Sequence, residues 1–88
     1  NPNCQILSLP FIGSLMTQHH NIDPLVSLIA CTRNAAKSVV HNKGLKQGII
    51  SNGYVANLNI LKSENWEYWC QTPGSSPFVN TMLEGKLL

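Results

Sequence analysis

The sequence predicts a mainly α fold stapled by a disulfide, a small four-helix bundle when the ambiguous third quarter is helical too, on three observations. A stripe of apolar residues at helical spacing runs between good caps from Asp23 to Gly44. Two further apolar segments, opening at Pro10 and Pro77, start as helices start. Three cysteines, Cys4, Cys31 and Cys70, sit in a chain of only 88 residues, where a covalent staple matters. The alternative is an α+β fold with a short hairpin around Asn52-Gly53.

The stretch from Asp23 to Gly44 carries the strongest signal. Asp23 is a good N-cap, because its carboxylate can accept from free backbone N–H groups, and Pro24 at the first helical position lacks a donor that would go unpaired there. Leu25, Leu28, Ile29, Thr32, Ala35, Ala36, Val39 and Val40 recur at three- and four-residue steps, with Cys31 at the edge of their stripe. His41 and Lys43 would complement the dipole in the last turn, and Gly44 would supply the left-handed stop. Ahead of it, Asn1 to Ser8 reads as an irregular lead. Pro10 to about His20 reads as a short first helix, which Gly13 weakens by about 1 kcal/mol relative to alanine.

The third quarter is ambiguous. Asn52-Gly53 between Ile49-Ile50 and Tyr54-Val55 is a type I′ hairpin signal, and Tyr54, Ala56, Leu58 and Ile60 alternate as a strand does. Ile50, Tyr54, Leu58 and Leu61 also form a helical stripe. Glu64 to Cys70 concentrates Trp66, Tyr68 and Trp69, half of the six aromatic residues, and reads as a short strand or extended loop. Pro73-Gly74 marks a turn, Ser76 and Pro77 open a last helix with Phe78, Val79, Met82 and Leu83 on its buried face, and Gly85 ends it.

A single domain over residues 1–88 follows from the length, and a chain this short buries only roughly 60–65% of its unfolded surface. Closing a Cys31–Cys70 loop would contribute about 4 kcal/mol, and Cys4–Cys70 only about half a kcal/mol more. The Cys31–Cys70 pair is preferred because Cys31 lies on the best-defined helix, whereas Cys4 is near a terminus. The chain begins with Asn1 and not methionine, which reads as a processed product or a fragment. No apolar run approaches the length of a membrane span.

Charge is sparse, at 11% of residues and a net +2. Arg33, Lys37, Lys43 and Lys46 hold four of the six basic positions, and Arg33, Lys37 and His41 fall at i, i+4 and i+8 on one helical ridge. Such a ridge suits an acidic partner or a solvated outer face. The basic field lacks the density and interleaved aromatics of a nucleic-acid binder. Adjacent His19 and His20 point about 100° apart on a helix, and no spaced histidine or cysteine pair exists, so no metal is expected. A catalytic set would have to combine Cys4 or Cys31 with His19, His20 or His41. With Cys31 on a core stripe, where burial raises a thiol's pKa, no enzyme activity and no cofactor are expected.

Three stretches of the second half carry a resemblance. They are Gly53-Tyr54-Val55-Ala56-Asn57-Leu58, then Trp69-Cys70-Gln71-Thr72-Pro73-Gly74-Ser75-Ser76, then Phe78-Val79-Asn80-Thr81-Met82-Leu83. Together, over residues 48–83, they resemble the periplasmic immunity proteins of type VI secretion systems, which protect bacteria against peptidoglycan-amidase effectors. The resemblance implies a small, helical, disulfide-bonded and exported protein, with Gly53 inside a helix.

These readings lead to an expected function: a periplasmic or secreted binding protein that neutralises a toxin by occluding its active site. The alternative is an envelope adaptor, pilot or chaperone-like assembly subunit that binds a peptide segment. The partner is a protein in either case, homodimer formation stays open, and Arg33, Lys37, His41, Trp66, Tyr68 and Trp69 are the expected contact residues.

Overall fold

The computed structural model describes residue 3 and residues 5–88. It contains two α-helices, α1 (Leu9–His19) and α2 (Pro24–Ile29), and three strands, β1 (Leu58–Leu61), β2 (Phe78–Leu83) and β3 (Lys86–Leu87). A π-helical turn, Ala30–Asn34, extends α2, and a 3-10 helix, Trp66–Cys70, lies between β1 and β2. The strands form one antiparallel sheet in the order β1-β2-β3. This overturns the four-helix bundle.

The first helix lies where its periodicity places it. Ser8 caps it by accepting from the Phe11 N–H at 3.3 Å, and Asn21, in the left-handed region at φ 52°, turns the chain out of it. The cap of the second is also the expected one: Asp23 Oδ1 accepts from the Leu25 N–H at 2.8 Å, with Pro24 next. That helix does not reach Lys43. Its turns widen at Ala30–Asn34, where the Thr32 hydroxyl donates to the Leu28 carbonyl at 2.7 Å. They tighten again where Lys37 and Ser38 donate three residues back, and the helical run ends after Ala36. Ser38, Val39, Val40, His41 and Asn42 are all weak helix formers, and Val39 and Val40 lie exposed rather than on a core stripe. Gly44 does adopt φ +68°, but it closes a separate turn in which its N–H donates to the His41 carbonyl.

Asn52-Gly53 is a turn and not a hairpin. The Tyr54 N–H donates to the Ser51 carbonyl, and only Gly53 of the central pair has positive φ, the pattern of a type II turn. The helix that the resemblance implied around Gly53 is absent. The type I′ conformation falls instead at Glu84-Gly85, with φ 49° and 82°, and joins β2 to β3. Residues 78–83 therefore form a strand where a helix was expected. Pairing with β1 (Leu58 opposite Met82, Ile60 opposite Asn80) satisfies the backbone of both segments, and the register slips by one residue before Leu61 meets Phe78.

The core centres on the 3-10 helix. Trp69 and Cys70 are its buried apolar residues, and they pack on α1 at Gly13 and Ser14. Ser14 Oγ donates to the Cys70 carbonyl at 2.6 Å, tying the two helices by a buried bond. The six-membered ring of Trp69 occupies the space that a side chain at position 13 would need.

Gly13→Ala should therefore destabilise the fold by about 1–3 kcal/mol through overpacking, against alanine's helix preference of about 1 kcal/mol. Urea unfolding measures it. A midpoint that stays or rises would mean that the indole does not sit on Gly13.

Candidate functional site

Two hollows flank the segment that follows the helical run. Gly48 holds this segment close: its φ is +90°, and an added Cβ would lie 2.5 Å from the Ala36 Cβ and 3.1 Å from the Thr32 carbonyl. On one side lies a cleft of about 480 Å³ between the helices and the sheet. Leu9 and Pro10 of α1, Leu28, Cys31 and Thr32 of the second helical run, and Gly48, Ile49 and Ile50 form one wall. Asn57, Leu58, Asn59 and Leu61 along β1, with Trp66, Trp69 and Phe78, form the other. Its lining is mostly apolar, yet Ile50 is 87% exposed, Leu9 51% and Trp66 42%. Water-exposed apolar side chains gathered at one opening are what a partner covers.

On the other side lies a more open depression of about 380 Å³. Arg33, Lys37, His41 and Lys46 line it together with Tyr54, and Ile49 is shared with the cleft. The basic residues expected as one helical ridge are thus brought together by a different route. Arg33 lies in the π-helical turn, Lys37 in the turn after the helix and His41 in the loop, and the loop's return adds Lys46. The Val55 N–H donates to the Lys46 carbonyl at 2.8 Å, which fixes that return beside Tyr54.

Among the described residues the one ion pair is Lys43–Glu84, Nζ to Oε2 at 2.5 Å, and it pins the basic loop to the β2–β3 turn. Arg33, Lys37 and Lys46 have no carboxylate partner among the described residues. The depression is therefore electropositive, since none of these three cations is paired with a carboxylate among the described residues.

The expected contact residues divide. Arg33, Lys37 and His41 share the depression, and Trp66 stands at the cleft mouth. Tyr68 is half-buried in the 3-10 helix, and Trp69 forms the cleft's inner wall at 5% exposure. The Trp69 indole N–H has no hydrogen-bond partner among the described residues. Sequence reasoning missed the walls contributed by Ile49, Leu58, Leu61, Lys46 and Tyr54. The alternation of Tyr54, Ala56, Leu58 and Ile60 was the available signal for β1.

The expected Cys31–Cys70 disulfide is not formed, and both side chains are free thiols. Cys70 is buried, and its Sγ points to the Glu67 carbonyl at 3.5 Å within its own helical turn, while Cys31 lies on the widened turn facing the cleft. Burial raises both thiol pKa values, and for Cys31 the nearby Cys70 adds to the effect, so both stay protonated and poorly nucleophilic at neutral pH. Cys4 lies outside the described residues. Among the described residues no three histidine, cysteine or acidic side chains come together as a metal group. No helix among the described residues is long and apolar enough to cross a membrane.

The Glu84 carboxyl is held below its ordinary pKa, first by the Lys43 hydrogen bond and then by the Lys43 charge. A depressed carboxyl stabilises the fold above its unfolded pKa, and the contribution disappears as pH falls through the folded value. In an NMR titration Glu84 should titrate below the ordinary glutamate value, and Lys43→Gln should bring it back up. Titration of Glu84 at the ordinary value in the parent protein would remove the pair. Comparisons with protein-family models, curated proteins and solved structures give no match to this chain.

Proposed function

We propose that the protein is a non-catalytic binding module, an adaptor that grips a segment of a partner protein in the apolar cleft. The observation that carries this reading is the cleft itself: about 480 Å³, walled by leucine, isoleucine, tryptophan and phenylalanine, with exposed apolar residues at its mouth. Such a volume holds a few apolar side chains, and the cost of leaving Ile50 and Trp66 in water is recovered when they are covered, at about 25 cal/mol per Å² of apolar surface.

The adjoining basic depression gives the partner its character. A segment that fills the cleft with apolar residues and places carboxylates over Arg33, Lys37 and Lys46 matches both hollows at once. Geometry favours the adaptor over an inhibitor that plugs an enzyme's active site. A plug needs a projecting element, and in the aromatic segment that would supply one Trp69 is buried on α1, Tyr68 is half-buried and Trp66 is exposed at the cleft mouth. Neutralising a toxin, if that is the outcome, would proceed by capturing one of its segments. The raised thiol pKa values suit a protein that holds and does not react.

The test uses a synthetic decapeptide with leucine or valine at alternating positions and two aspartates at one end, titrated while tryptophan fluorescence is read. Binding should saturate. Ile50→Asp and Trp66→Ala should each weaken it at least tenfold with an unchanged circular dichroism spectrum, because both residues lie at the cleft mouth and outside the core. No saturable binding, or equal affinity in both variants, would overturn the reading.

A further inference from the structure

β1 is an edge strand. Among the described residues it pairs with β2 on one side and with no strand on the other. Hydrogen bonds at its two ends fix which backbone groups face which way. The Ala56 carbonyl accepts from the Gly85 N–H at 3.0 Å, and the Lys62 N–H donates to the Pro77 carbonyl at 2.9 Å, so both are aimed at the β2 side. Backbone direction alternates along a strand, so Leu58 and Ile60 also face β2 while Asn59 and Leu61 face outward. The extra residue of the register slip lies on β2, which leaves this alternation on β1 intact. The N–H and C=O groups of Asn59 and Leu61 thus form an unpaired backbone row among the described residues, the template to which another strand adds.

The cleft lies along that row. Residues of both alternations, Leu58 with Asn59 and Leu61, line it, as they do when a cleft follows a strand's edge and not one of its faces. At its end, across Ile49, the basic depression begins.

We propose that the partner segment adds to β1 as a fourth strand. Its backbone pairs with Asn59 and Leu61, alternate side chains enter the apolar cleft, and an acidic flank rests over Arg33 and Lys37. The inference rests on the cleft being a peptide site and specifies how the peptide is held. Main-chain pairing supplies affinity that does not depend on sequence, the cleft selects apolar residues at every second position, and the basic depression sets the direction of the segment. Charge complementarity names the occupant: three cations without carboxylate partners among the described residues, beside an apolar cleft, call for a protein segment that is apolar along its length and acidic at one end.

The experiment is an amide NMR titration of the full chain with the same acetylated decapeptide and with two versions N-methylated at alternate residues, one for each strand register. The expected result is that the parent peptide shifts the Asn59 and Leu61 amides and slows their hydrogen exchange. One N-methylated version should lose at least tenfold in affinity and the other should not. Replacing the aspartates with lysines should cost a further factor of at least five at low salt. If both N-methylated peptides bind as the parent does, with shifts confined to Leu9, Ile49 and Trp66, strand addition is wrong while the cleft remains a peptide site. If no peptide binds, both readings fall. If the lysine peptide binds as well as the aspartate peptide, the acidic flank is wrong.

Discussion

The contact on which the structure depends is the Trp69 ring against Gly13. A side chain at position 13 would enter the six-membered ring, so α1 and the 3-10 helix approach each other only because glycine is there. The Ser14 hydroxyl, one residue on, donates to the Cys70 carbonyl and sets the angle between the two elements. A small chain has few such points. Among the described residues the buried apolar side chains are Trp69, Cys70 and Pro77, and removing the ring from this seat would expose the largest of them.

Trp69 of that clamp lines the cleft. Gly48 lines it as well, and presses the returning chain onto Ala36 and Thr32, again where no Cβ fits. Both glycine contacts therefore fix elements that wall the cleft. β1, on the facing wall, is short, and its outer edge has no strand beside it among the described residues.

Much of the helical start chemistry could be read from residues, and little of the rest could. Ser8 and Asp23 act as caps through single side-chain hydrogen bonds, local events that a local pattern encodes. The helix end was misplaced because Gly44 does take a left-handed conformation but uses it in an independent turn, while the helix had already stopped among weak formers after Ala36. The segment Phe78-Val79-Asn80-Thr81-Met82-Leu83 follows a capping serine and a proline, yet it is a strand. Its β-branched Val79 and Thr81 suit a pleated surface, and its partner β1 lies some twenty residues away, beyond any local window. The basic cluster was half legible. Arg33, Lys37 and His41 do come together, but loop return and not helical spacing gathers them, and only that return adds Lys46.

A staple is expected from the small size and the three cysteines, and the long helix only selects Cys31 as one partner. The chain widens at Cys31 into a π-helical turn, and Cys31 and Cys70 are both free. Stability then rests on the clamp and the sheet, and the free edge of β1 is the feature on which the proposed strand addition depends. Amide hydrogen exchange along β1 in the isolated protein tests that edge most directly. Slow exchange at Leu58, Ile60 and Lys62 with fast exchange at Asn59 and Leu61 is the predicted alternation. Uniform protection through residues 58–62 would show the edge already paired, and the cleft closed to any guest.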